Sequence, residues 1–257
     1  MSQRWDPQQY LKFAGPRLRP ALDLLARIDV ADAATVYDLG CGPGNLTQFL
    51  KGRWPDARIV GVDNSTPMLE KARAAHPDER WVEADLTVWR PEVATDVIYA
   101  NAALQWVAGH ETLFPGLMQG LKQGGALAVQ MPRNHTAPSH ALMQDAIDAS
   151  PWAAAMKGAR GLPPVPGPEF YYDLLRPHAS ELDIWESEFL QVLEGDNAVA
   201  EYTRGSALKV YLDALADDDQ RKQFFDDYLA RVQKAYPKRA DGKTLFPFRR
   251  LFIVAKR

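Results

Sequence analysis

Thr35-Val36-Tyr37-Asp38-Leu39-Gly40-Cys41-Gly42-Pro43-Gly44 decides how this chain is read. A short run of strand character ends in three glycines within five positions. Glycines there let the backbone turn sharply and let a ligand approach with no Cβ in the way. Ligands of open α/β sheets sit beyond the carboxyl ends of strands, and this stretch predicts such an end with a helix after it. A tight turn with no ligand is the competing reading of the same residues.

Outward from that turn, short apolar runs alternate with amphipathic stretches, the pattern of βα units and a parallel sheet. Strands are predicted at 35–39, 58–63, 80–85, 96–101 and 126–130. A helix is predicted before the first strand, over 16–28, where Leu18, Ala21, Leu22 and Leu25 recur at helical spacing. Ser65-Thr66-Pro67 opens another, with a capping residue ahead of a first-turn proline. The second half differs. Gly161-Leu162-Pro163-Pro164-Val165-Pro166-Gly167-Pro168 excludes a helix or a central strand and predicts an ordered loop or a hinge. Residues 182–190 have strand character. Asp196 to Tyr236 reads as two or three helices, with Asp217-Asp218-Asp219 at an N-terminal cap. Leu251-Phe252-Ile253-Val254-Ala255 is a last buried strand, preceded by Arg249-Arg250. A long helical insertion before that strand suggests a cap over the sheet's edge.

The acids at the strand ends narrow the ligand. A dinucleotide site wants G-x-G-x-x-G with pyrophosphate on a helix N-terminus. Here the third glycine comes one residue early, Asn45 stands in its place and Pro43 removes a backbone donor. Asp38 would set a negative charge beside a diphosphate, whereas a carboxylate suits an ammonium group. That turns the reading from NAD to a zwitterionic amino-acid tail. Asp63, at the end of the second strand, can accept both hydrogen bonds of a ribose diol. Asp85, in Glu83-Ala84-Asp85-Leu86, can accept from an adenine exocyclic amine. Each acid alone is equally a plain helix cap. Together they fit adenosine joined to a methionine tail.

Asp38-x-Gly40-Cys41-Gly42-x-Gly44, Asp63 and Glu83-Ala84-Asp85 resemble the signature motifs of class I S-adenosylmethionine-dependent methyltransferases, over roughly residues 34–131. More narrowly, the whole chain is similar to the bacterial trans-aconitate methyltransferases. The similarity is carried by Trp5-Asp6-Pro7 through Tyr10, Arg19-Pro20-Ala21, the glycine turn through Asn45, Leu104-Gln105-Trp106, Ala128-Val129-Gln130-Met131-Pro132 with Asn134, Tyr171-Tyr172-Asp173, Leu182-Asp183-Ile184-Trp185 and Arg250-Leu251-Phe252-Ile253-Val254-Ala255. It is weakest over 145–165 and 191–245. The resemblance implies a Rossmann-like α/β fold with a mainly parallel seven-stranded sheet, an antiparallel last strand and a helical cap from the N-terminal segment and the C-terminal insertion. It implies one methyltransferase domain over 1–257, with the cofactor core near 30–135, cap and substrate regions at 1–29 and 136–249, and the final strand at 250–257. It also implies S-adenosylmethionine as cofactor, S-adenosylhomocysteine as product, and a monomethyl ester of one trans-aconitate carboxyl. The glycine turn, Asp38 to Gly44, would line the cofactor with Cys41 inside it. Asp63 would hold the ribose, and Met68 or its neighbour Asn64 would pack on the adenine. Asp85 would bond the adenine amine, Leu86 would donate a backbone N–H, and Asn101 would sit beside the methionine moiety.

Such a reaction needs no catalytic base. A carboxylate with an ordinary pKa near 4 is already the nucleophile at pH 7. Alignment with the sulfonium methyl and removal of water then carry the catalysis. The remaining carboxylates need cations and donors, and arginine's planar fork suits them. Arg250 and Arg19 are favoured over Arg133 and Arg249 because they fall in the resembling stretches; for any one arginine, a solvated surface residue is the commoner reading. Tyr10, Trp106, Asn134, Tyr171 and Tyr172 are the further candidates for the substrate pocket, with core packing the competing reading for the aromatics.

Composition bounds the alternatives. The 257 residues are 46% hydrophobic and 25% charged, with net charge −3. At this size about 73% of the chain's surface can be buried, ample for a large core. Mild acidity and interspersed charge argue against a nucleic-acid or membrane surface. Met1-Ser2-Gln3-Arg4-Trp5-Asp6-Pro7 has no apolar signal region and no run suits a membrane span, so a cytoplasmic protein is expected. The single cysteine, Cys41, excludes an internal disulfide and a thiolate zinc cluster. It is expected to pack under the turn rather than act as a nucleophile. His135 and His140 are wrongly spaced for one helix face, so no metal is expected. No G-x-S-x-G elbow appears, which disfavours an α/β-hydrolase. Asn101-Ala102-Ala103-Leu104 lacks the Pro-Pro-aromatic run of nucleic-acid amino-methyltransferases. The rivals left are a methyltransferase with another small-molecule acceptor, a non-catalytic cofactor-binding regulator and an NAD-dependent dehydrogenase. The sequence leaves the oligomeric state open and is compatible with a monomer.

Overall fold

A computed structural model describes residues 14–159 and 164–257. The chain divides into two compact units. One comprises Leu18–Pro132, Pro164–Ser187 and Arg250–Arg257; the other is built chiefly from Arg133–Pro163 and Glu188–Arg249.

Among the described residues the strands are β1 (Thr35–Leu39), β2 (Arg58–Asp63), β3 (Arg80–Glu83), β4 (Thr95–Asn101), β5 (Leu121–Pro132), β6 (Glu181–Leu193) and β7 (Thr244–Lys256). They form one seven-stranded sheet in the order β3-β2-β1-β4-β5-β7-β6. The pairs β1–β2, β1–β4, β2–β3 and β4–β5 are parallel, and β5–β7 is antiparallel. The fold is therefore the mainly parallel seven-stranded α/β sheet expected. The chain reverses its direction across the sheet between β1 and β4, the place where such sheets bind ligands.

The first unit carries the helices α2 (Thr47–Arg53), α3 (Thr66–Ala75) and α4 (His110–Gln119), together with α1 (Ala14–Ala26) from Leu18 onward. Central strands of a parallel sheet are covered on both faces and read as continuous apolar runs. Val36, Ile59, Val62, Val97 and Ile98 are accordingly fully buried. In α4, Leu113, Phe114, Leu117 and Met118 form the buried stripe, and each such side chain contributes about 1.5–3 kcal/mol by leaving water. A 3₁₀ turn, Leu104–Trp106, follows β4, and α7 (Pro168–Leu175) also belongs to this unit.

The second unit contains α5 (Pro138–Ala149), α6 (Ala153–Ala159), α8 (Ala198–Arg204), α9 (Lys209–Asp213) and α10 (Asp218–Ala235). Phe224, Phe225, Tyr228 and Val232 are the buried face of α10. They pack in a core with Met143, Ile147, Tyr202, Leu208 and Phe246. Asp217 caps α10, its carboxylate accepting from Gln220 N–H at 2.9 Å. Tyr228 Oη donates to the Ser139 carbonyl at 3.0 Å.

Several expected boundaries move. The first helix covers Ala14–Ala26 rather than 16–28. The third strand stops at Glu83, because Asp85 closes a turn on itself: its carboxylate accepts from Thr87 N–H at 2.8 Å. Ser65 stands at the N-cap of α3, but its side chain makes no capping bond; its N–H donates to Asp63 instead. Pro168, placed in the loop by the sequence, opens α7 at a helix position where a missing N–H costs nothing. β5 and β6 are longer than expected. Arg249 and Arg250 lie within β7 rather than before it, since that strand starts at Thr244.

Candidate active site

The turn after β1 is shaped by what stands beside it. Gly40, Gly42 and Gly44 all have positive φ, from 55° to 79°. A Cβ on Gly40 would lie 2.3 Å from the Cβ of Ala103, so the turn lies directly against the segment leaving β4. At Gly42 the same direction is open, with nothing within 4 Å. Gly40 N–H and Cys41 N–H both donate to the Val62 carbonyl, at 2.7 and 3.2 Å. Asp63 closes the arrangement: its carboxylate accepts from Gly42 N–H and from Ser65 N–H, each at 2.9 Å. The strand-end acid thus ties the glycine turn to the start of α3 before any ligand is considered.

Cys41 packs with Leu69, Ala72 and Trp81. Burial raises its thiol far above the ordinary range, with the charges of Asp38 and Asp63 adding to the effect. It is an inert core thiol.

Sheet register assembles the polar centre. Asp38 pairs with Tyr99 across β1–β4, and Asn101 pairs with Gln130 across β4–β5. Gln130 pairs with Phe252 across β5–β7. Side chains in register, or two apart on one strand, share a face. Asp38, Tyr99, Asn101, Gln130 and Arg250 therefore line one face of the sheet at the carboxyl ends of its parallel strands. On that face Tyr99 Oη donates to the Ala21 carbonyl of α1 at 2.8 Å.

Asp38 is buried and its Oδ2 has no hydrogen-bond partner among the described residues. Burial first, and the neighbouring charge of Asp63 second, push its carboxyl up to about 8. Asn101 Oδ1 and Gln105 Oε1 are buried acceptors in the same state. The amide of Gln105 is oriented by its other end, which donates to the Ala102 carbonyl at 2.8 Å. Ala102 itself is held at φ 53°, a left-handed conformation an alanine rarely adopts. Strain of this kind persists only where surrounding structure enforces it, and it clusters at functional sites. Three buried, unsatisfied acceptors at a switch point are suited to a cation and hostile to a diphosphate.

The other expected residues are distributed unevenly. Met68 is buried at the start of α3, Leu86 is half-buried, and Asn64 and Asp85 are exposed. Backbone and side-chain hydrogen bonds from Thr87 lower the Asp85 pKa, so it stays ionised. Arg250 is buried, and its Nη1 donates to Gln130 Oε1 at 3.4 Å. Arg19 is exposed on α1 and pairs with Asp23 at 3.8 Å. Trp106 and Tyr172 are 60% and 52% exposed. Tyr171 is fully buried, packed at 5.0 Å between ring centroids on Phe114, and hydrogen-bonded to His110 Nδ1 at 2.7 Å. Asn134 lies in the second unit, where its Oδ1 accepts from Arg249 N–H at 3.2 Å. Tyr10 lies outside the described residues. Gln105, Gln130 and the strained Ala102 were not singled out from the sequence. A glutamine inside the apolar run of β5 was the available signal for the second of these.

Residues 36–125 match a methyltransferase domain family. A trans-aconitate 2-methyltransferase from Azoarcus sp. is 52% identical over 253 residues, covering 98% of this chain and 99% of that one. The chain belongs to the trans-aconitate 2-methyltransferase family. A second member, from Afipia carboxidovorans, is 45% identical with 98% and 99% coverage. Among solved structures, phosphoethanolamine N-methyltransferase 2 of Haemonchus contortus superposes with a TM-score of 0.56 at 15% identity, over 93% of this chain and 52% of that one. That likeness concerns the fold, and it is the class I methyltransferase fold. Among the described residues there is no cluster of metal-ligating side chains and no helix long and apolar enough to cross a membrane.

Proposed function

We propose that this protein is a cytoplasmic enzyme that transfers the methyl group of S-adenosylmethionine to one carboxylate of trans-aconitate, giving its monomethyl ester. Near-end-to-end identity of 43–52% with trans-aconitate 2-methyltransferases carries the reading. The buried, unsatisfied acceptors Asp38 Oδ2, Asn101 Oδ1 and Gln105 Oε1 support it from the structure. They fit a cofactor that brings an ammonium and a sulfonium, and they do not fit the pyrophosphate of a dinucleotide.

The cofactor, when bound, supplies an electrophilic methyl on a positively charged sulfur. The chain's own residues bind, orient and exclude water. In this reading Asp38 takes the ammonium and Asp63 the ribose hydroxyls, while the Gly40–Gly44 turn lets the tail approach over the open side of Gly42. Met68 or Asn64 contacts the adenine, with Asp85 and the Leu86 N–H on its edge, and Asn101 lies beside the methionine moiety. Arg250 holds a substrate carboxylate that does not react, with Arg19, Trp106 and Tyr172 as further proposed contacts. Tyr171 supports the turn that carries Gln105, through His110 Nε2–H donating to the Leu104 carbonyl at 2.9 Å. No general base is required, because the acceptor carboxylate is ionised at neutral pH. Mass spectrometry of an incubation with both substrates tests the reading: a monomethyl ester and S-adenosylhomocysteine in equal amounts support it. Binding of the cofactor with no ester from any polycarboxylate would overturn the acceptor and leave a methyltransferase for another small molecule, or a cofactor-binding regulator, in its place.

A further inference from the structure

We infer that Gln130 is a specificity-determining residue whose Nε2–H₂ donates to the non-reacting substrate carboxylate held by Arg250. The inference rests on the methyltransferase reading above and adds a residue to it. Gln130 is fully buried near the carboxyl end of β5, in register with Asn101 on one side and Phe252 on the other. Nothing about a strand interior calls for an amide there; its neighbours Ala128, Val129 and Met131 are all apolar and fully buried. One end of the amide is accounted for, since Oε1 accepts from Arg250 Nη1 at 3.4 Å. That contact also fixes which way the amide points, because the reversed orientation would set two donors against each other. The other end is not accounted for: Nε2 is buried and has no hydrogen-bond partner among the described residues.

An unmet buried N–H is costly to keep, and such a group is retained where a ligand completes it. The face of the sheet sorts by polarity. Asp38, Asn101 and Gln105 present unmet acceptors, whereas Gln130 presents an unmet donor beside the Arg250 guanidinium. A cation is thus drawn to the β1–β4 side and an anion to the β5–β7 side. The ligand for an amide N–H₂ next to a guanidinium is a carboxylate, which accepts from both. Gln130 therefore holds Arg250 with its oxygen and reads the substrate with its nitrogen.

The test uses Gln130→Met, of similar length with no donor, and Gln130→Glu, isosteric with no donor and with a negative charge. Steady-state methyl transfer to trans-aconitate gives KM and kcat, calorimetry with S-adenosylhomocysteine gives cofactor affinity, and thermal melting confirms folding. Gln130→Met is expected to raise the KM for trans-aconitate at least about tenfold, the value of one hydrogen bond to a charged group. Gln130→Glu is expected to raise it further, because the new carboxylate pairs with Arg250 and repels the substrate. Cofactor affinity should stay within about twofold in both, less than half of the 1.4 kcal/mol that a tenfold change represents. An unchanged KM in folded variants overturns the inference, as does a parallel loss of cofactor affinity, which would assign Nε2 to the cofactor's own carboxylate. Absence of transfer by the wild-type protein would instead overturn the underlying reading, and this inference with it.

Discussion

Asp38 should make cofactor binding proton-linked. Its carboxyl is pushed up to about 8 from an ordinary 3.8, by burial first and by Asp63 second. At pH 7 roughly nine molecules in ten therefore carry it protonated, and an ammonium partner requires the ionised form. Removing that proton costs about 1.4 kcal/mol for each pH unit below 8. The dissociation constant for S-adenosylmethionine should accordingly fall nearly tenfold per unit between pH 6 and 7.5. The gain ends near pH 8, where a free α-amino group begins to lose its own proton. Calorimetry at pH 6.5 in buffers of different ionisation enthalpy should show close to one proton released per cofactor bound. Asp38→Asn should abolish both the release and the pH slope and weaken binding at pH 8. The sign for stability is opposite. A carboxyl with a folded-state pKa above its unfolded value contributes most at low pH, and that contribution is lost as pH rises from 3.8 toward 8. The unliganded Asp38→Asn protein should therefore melt higher than the wild type at pH 8. PH-independent affinity with no proton release would refute the placement of the ammonium on Asp38.

Asp63→Ala removes the acceptor of both Gly42 N–H and Ser65 N–H, so cofactor affinity should fall at least tenfold, by the value of about one charged hydrogen bond, while circular dichroism stays native. Arg250→Ala should raise the acceptor KM far more than the cofactor KM; equal effects on both would make Arg250 structural. Tyr171→Phe strands the buried His110 Nδ1 and should cost about 1–3 kcal/mol in urea unfolding. An unchanged midpoint would show that the hydroxyl holds nothing in place.

How far the sequence reached can be traced residue by residue. The central strands β1, β2 and β4 are legible because parallel strands covered on both faces read as near-continuous apolar runs, and the glycine turn because glycine takes positive φ at no steric cost, here at three positions in five. Asp38 and Asp63 are legible as strand-end acids. Their detailed roles are not: nothing local shows that Asp63 accepts from Gly42 N–H or that Asp38 Oδ2 has no hydrogen-bond partner among the described residues. Gln130 shows in the sequence only as a glutamine inside an apolar run, because its neighbours Asn101 and Arg250 come together through register across β4, β5 and β7; Gln105 gives no local signal, since its amide is oriented by the turn after β4. Ala102 gives no signal, since nothing about an alanine announces a left-handed φ of 53°. The aromatics differ in burial in a way the sequence does not show. Tyr171 and Tyr172 are adjacent, but on α7 one is fully buried and the other half-exposed, a split that depends on the helix's rotation.

The acceptor defines the enzyme. Initial rates with radiolabelled S-adenosylmethionine against trans-aconitate, cis-aconitate, citrate and isocitrate, with base-released methanol as the readout, test it most directly. The kcat/KM for trans-aconitate should exceed each of the others, and all the transferred label should be base-labile. Label that resists base, or a better rate with any of the other three acids, would contradict it.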